Sequence, residues 1–197
     1  MKKNFFIIIF FIFAFTQNSF GYSSDPKQFI TVVVNEAKKI LVATNTKEFK
    51  TTKLSELALK TVDIKGVAYY SLGNYRKQLT DEQLKEYLTL FEKYFLKSFT
   101  SRLADYSDPK INVLSTEVEN EKYTIVKSVL IATDKKPEVK IEWRVYTKNP
   151  DKPLIRDLII EGLSLARTQK EEFASVIETN NGDINKLFIT LKEFTAK

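Results

Sequence analysis

The chain has 197 residues, with 31 Lys plus Arg against 25 Asp plus Glu, 5 Gly, and neither His nor Cys. Without thiol or imidazole there is no Cys nucleophile, no Ser-His-Asp relay and no histidine metal site. Neither G-x-G-x-x-G nor G-x-x-x-x-G-K-[ST] occurs, so the loops that cradle nucleotide phosphates are missing too, and a binding protein is the first expectation.

Residues 1–21 read as a secretory signal. Lys2 and Lys3 make a positive start, Phe5 to Phe15 an uncharged apolar stretch, and Ser19-Phe20-Gly21 offers small residues where a signal peptidase reads. Thr16, Gln17 and Asn18 end the stretch short of the roughly 20 residues a membrane-spanning helix needs. Cleavage after Gly21 leaves a single domain, 22–197, with 29 basic against 25 acidic residues. So mild a surplus, without clustering, speaks against nucleic acid as a partner.

From Asp25 the pattern is helical. Asp25 can cap, Pro26 suits the first helical position, and Phe29, Val32, Val33, Ala37, Ile40 and Leu41 recur at spacings of three and four. Residues 54–59 predict a short second helix and 64–72 a third, interrupted near Gly73-Asn74. Thr80-Asp81-Glu82-Gln83 is a capping box, and after it Leu84, Tyr87, Leu88, Phe91, Phe95, Phe99 and Leu103 run down one stripe. Past Ser107-Asp108-Pro109 the period drops to two. Four runs, 111–118, 123–133, 139–148 and 154–163, joined by short polar connections, predict an antiparallel meander. On the third run Val139, Ile141, Trp143 and Val145 share one face and Lys140, Glu142 and Arg144 the other. Helix returns around Phe173, Val176 and Ile177, stops at Asn180-Asn181-Gly182, and restarts at Asp183 with Leu187, Ile189 and Leu191.

The expected fold is α+β: helices packed on a curved four-stranded antiparallel sheet of the cystatin or NTF2 kind. A sheet bent around a long aromatic helix can enclose an apolar cavity, with Tyr69, Tyr70, Tyr75, Tyr87, Tyr94 and Tyr106 around it. Asp157 and Glu161, four residues apart on the last run, are the one carboxylate pair that invites acid–base chemistry; no second catalytic partner accompanies them, and a solvated face bridged to Arg144 or Lys140 is the plainer reading. Alternation leaves open which side of that run is interior: Asp157, Ile159 and Glu161 go together, as do Arg156, Leu158 and Ile160.

The order of motifs resembles a known family. Residues 63–68 (DIKGVA), Leu72-Gly73 with Tyr75-Arg76, residues 79–83 (LTDEQ) leading into Phe91, Phe95, Phe99 and Leu103, and residues 156–165 (RDLIIEGLSL) followed by Phe173 and Gly182-Asp183 are similar to the MlaC, or toluene-tolerance, family of periplasmic phospholipid-binding proteins. The resemblance spans roughly 25–195. It implies a periplasmic, cofactor-free shuttle that holds glycerophospholipid acyl chains in an apolar cavity. Its implied partners are an inner-membrane MCE-domain ABC transporter complex and an outer-membrane lipoprotein complex. Two tails of roughly 16 carbons would cost on the order of 25 kcal/mol in water at about 0.8 kcal/mol per CH₂, which is why such a shuttle needs a greasy interior.

On this expectation the lining comes from both layers. Phe91, Phe95 and Phe99 come from the long helix, Val129, Ile131, Ile141, Trp143, Val145, Ile159 and Leu163 from strands, and Phe173 and Ile177 from the closing helix, with Tyr70, Arg76 and Lys170 at the headgroup or mouth. Two other readings fit the same residues: a cystatin-like α+β enzyme acting on a small apolar ligand, and a ligand-free envelope interaction module.

Overall fold

The computed structural model describes residues 22–134 and 137–196; the expected signal, 1–21, lies outside the described residues. In chain order these form α1 (Pro26–Val42), α2 (Lys47–Thr61), α3 (Ile64–Leu72), a 3₁₀ helix (Gly73–Gln78), α4 (Asp81–Leu103), β1 (Ile111–Asn120), β2 (Tyr123–Leu130), β3 (Val139–Tyr146), β4 (Leu154–Ile160), β5 (Leu163–Ser164), α5 (Leu165–Glu178) and α6 (Ile184–Ala196). None of these helices is long and apolar enough to cross a membrane.

Side-chain caps set the helix starts. Asp25 accepts from the Gln28 amide at 2.7 Å, with Pro26 at the first helical position. The second helix is longer than its apolar spacing suggested, because Thr46 caps it at Lys47 and its first turns are polar and solvated. Thr80 and Gln83 form the reciprocal capping box: the Thr80 hydroxyl takes the Gln83 amide, and the Gln83 side chain takes the Thr80 amide. At Gly73 the chain does not break but tightens into the 3₁₀ helix.

The sheet is antiparallel and open, in the order β1-β2-β3-β4-β5. It has five strands, not the expected four. Run 154–163 is two strands: Glu161 and Gly162 both take positive φ, 50° and 80°, and so form the two-residue turn that folds Leu163–Ser164 back onto Ile159 and Ile160. Ser164 then accepts the Arg167 amide as the N-cap of α5.

Helices and sheet form two cores that meet. In the first, Phe29, Ile30, Val33 and Val34 of α1 lie on Val126, Trp143, Val145 and Ile155 of the sheet. Trp143 Nε1 donates to Ser128 Oγ at 2.8 Å, and Ser128 donates to the Ile141 carbonyl, so the polar atoms of that face are satisfied. In the second, Val67, Ala68 and Leu72 of α3, Tyr87, Leu90 and Phe91 of α4, Phe173 and Ile177 of α5, and Leu187, Phe188 and Leu191 of α6 pack together. The aromatic stripe of α4 was expected against the sheet. Its buried members instead pack among helices, since α1 occupies the sheet face.

Candidate functional site

Val62, the residue that ends α2, is packed against both cores. It bridges to Ile155 of β4, and the next amide, Asp63 N, donates to the Ile155 carbonyl at 2.9 Å. At this junction a cleft of about 680 Å³ opens, within the several-hundred-Å³ range of small-molecule pockets. Tyr22, Leu59, Val62, Ile64, Pro153 and Leu154 give it apolar walls, and Lys60, Lys65, Lys152, Asp63, Glu92 and Asp151 a charge-balanced rim.

A polar network holds the junction. Asp63 caps α3 through the Gly66 amide at 2.8 Å, and its other oxygen takes Arg156 Nε at 2.7 Å and Nη2 at 2.6 Å. Arg156 also donates to the Tyr123 hydroxyl at 2.9 Å and lies 4.1 Å from the Tyr146 ring centroid. Burial opposes its charge, but Asp63 and Tyr123 outweigh it and raise its pKa. Arg156 reaches these partners because of a bulge. Leu158 pairs with Trp143, Asp157 with Arg144, and Ile155 with Val145, so Arg156 is the extra residue and turns toward Tyr123 and Tyr146. Only Gly fits at position 66, since a Cβ there would stand 2.5 Å from Asp63 Oδ2 and 2.9 Å from Arg156 Nε. Gly66→Ala would add about 1 kcal/mol of stability at an open helix position. Here it is expected to cost about 1–3 kcal/mol by crowding, and urea unfolding of the variant measures the sign.

The expected lining is divided between the two cores. Phe91, Phe173 and Ile177 are buried together in the helical one. Phe95 packs at its edge and stacks on Phe91 and on half-buried Phe99, with centroids 6.2 and 5.5 Å apart. Trp143 and Val145 are buried in the sheet core, with Ile141 partly buried against it. Val129 pairs with Lys140 and Ile159 with Glu142, which sets both on the sheet face away from Trp143. Ile131 and Leu163 are exposed. Of the mouth residues, Lys170 Nζ lies 5.4 Å from the Tyr70 ring, and Arg76 lies over the neighbouring Tyr69 at 5.2 Å.

Both cores have margins that are incompletely covered. Leu84, Leu88, Tyr94, Phe95 and Leu96 of α4 fringe the helical core, and Ile111, Val113, Ile141 and Leu158 fringe the sheet core, all only partly buried. Sequence reasoning missed Val62, the cleft walls and the Asp63–Arg156 pair. Nothing local points from Asp63 to a partner 93 residues away.

Asp157 is buried and spoken for. Its Oδ1 takes the Ala166 amide at 2.9 Å and its Oδ2 the Ser164 hydroxyl at 2.5 Å, so it anchors the start of α5 to β4. Glu161 sits apart, in the β4–β5 turn, and accepts the Lys140 amide. The two carboxylates therefore do not form an acid–base pair. Among the described residues no cluster of acidic side chains could hold a metal ion.

A phospholipid-binding protein from Ralstonia solanacearum, solved in complex with a phospholipid, has the same fold: TM-score 0.72, 20% identity, covering 88% of this chain and 97% of that one. The sequence model of the MlaC protein family matches residues 31–193. With most of its length inside that match, and with the α+β arrangement that the solved structure shares, the chain belongs to the MlaC protein family.

Proposed function

We propose that this protein is an exported, periplasmic phospholipid carrier whose cargo lies with its acyl chains between the two cores. The observation that supports this most directly is family membership, together with a fold shared with a protein solved in complex with phospholipid. The half-buried fringes are consistent with it. Leu88, Phe95 and Leu96 on one side and Ile141 and Leu158 on the other are apolar surface that neither core fully covers, and hydrocarbon laid against such surface gains about 25 cal/mol for each Å² removed from water. In the envelope, the carrier exchanges lipid with an MCE-domain ABC transporter of the inner membrane and with an outer-membrane lipoprotein complex. Its chemistry is binding, not catalysis: Asp157, the buried carboxylate of the sheet, is committed to two structural donors.

The test is organic extraction of the purified mature protein, followed by mass spectrometry. Glycerophospholipid in near-stoichiometric amount is expected. An extract free of phospholipid, from protein that unfolds cooperatively, would falsify the reading.

A further inference from the structure

We infer that the surface made by α3, the 3₁₀ helix and α5 is the face by which the protein meets a bilayer containing anionic phospholipid. Three cations stand there on two tyrosine rings: Lys65 Nζ 5.7 Å and Arg76 Cζ 5.2 Å from the Tyr69 centroid, and Lys170 Nζ 5.4 Å from that of Tyr70. None of the three pairs with a carboxylate among the described residues. Of the acids around it, Asp63 is paired with Arg156, Glu178 accepts from the Tyr75 hydroxyl, and Glu92 and Asp151 share the cleft rim with Lys65 without an ion pair to it. Ring faces place these cations without neutralising them, so the patch presents its charge outward. Tyr70 is 46% exposed. A tyrosine with an apolar body and a polar tip beside unpaired lysine and arginine suits the headgroup zone of a membrane.

Lys65 ties this face to the cleft, for it lines the cleft and stacks on Tyr69. A bilayer docked on the patch would therefore touch the opening between the cores. The choice of a bilayer over an acidic protein rests on the phospholipid-carrier reading above; the charge and ring geometry do not.

The experiment is flotation of the mature protein with phosphatidylcholine vesicles, with and without phosphatidylglycerol, at low and high salt. Wild type should bind only the phosphatidylglycerol-containing vesicles and release in high salt. The triple variant Lys65→Gln, Arg76→Gln, Lys170→Gln should bind them on the order of a hundredfold more weakly. A control with the same loss of charge, Lys39→Gln, Lys148→Gln, Lys186→Gln, should bind like wild type. Wild type indifferent to phosphatidylglycerol, or both triple variants weakened equally, overturns the inference. Lipid extracted from the same samples separates the two claims: phospholipid-loaded protein that ignores vesicles sinks the docking face alone, and lipid-free protein with the expected vesicle pattern sinks the carrier alone.

Discussion

A Tyr87→Ala variant is expected to lose about 3–5 kcal/mol of unfolding free energy, as deletion of a buried aromatic ring does. Tyr87 has no exposed surface, and its ring centroid lies 5.8 Å from Phe91, 6.4 Å from Phe173 and 6.2 Å from Phe188. One side chain thus joins α4, α5 and α6, and its hydroxyl adds α3 by donating to the Ala68 carbonyl at 3.1 Å. Burial pushes the phenol pKa far up, with a smaller contribution from Tyr94. Tyr87→Phe keeps the ring and drops only that hydrogen bond, so about 1 kcal/mol should go. Urea unfolding of both variants reads the ring and the hydroxyl separately, provided the m-values agree. A loss below about 1 kcal/mol for Tyr87→Ala would mean that the helical cluster is not a packed core.

The second large effect is on cargo. Ile141→Glu and Phe95→Glu should each strip co-extracted phospholipid while leaving a cooperatively folding protein. Both side chains are partly buried at a core's fringe, so a carboxylate there can reach water in the empty protein. With acyl chains laid alongside it cannot, and burying an unpaired carboxylate costs several kcal/mol, which is more than a hundredfold in affinity. Leu163→Glu is the matched control: Leu163 is exposed on β5, and its change should leave lipid content as it was. Equal lipid in Ile141→Glu, Phe95→Glu and wild type would place the chains elsewhere.

Much of the fold was legible because its signals are local. Asp25 with Pro26, and Thr80 with Gln83, announce helix starts through a hydrogen bond spanning three residues. The fifth strand was hidden because its two residues continue the apolar run of β4, and only the positive φ of Glu161 and Gly162 divides them. The site was less legible. Periodicity shows that Phe91, Phe95 and Phe99 share a helix face, but not which layer that face meets. That depended on α1, which covers the sheet through Phe29 and Val33. Strand register failed at one residue. The bulge leaves Leu158 and Ile160 on the side of Trp143 and Ile141 but turns Arg156 away from them toward Tyr123 and Tyr146, a shift that alternation alone does not reveal.

The anchoring of Asp157 reaches beyond β4. With both oxygens occupied by Ser164 and Ala166, and with no imidazole anywhere in the chain, the protein lacks the side chain that usually senses mild acid. On the carrier reading proposed above, no histidine is there to serve as a latch for release of the load. On that reading, an acceptor that offers the tails a better home is what would decide when the lipid leaves.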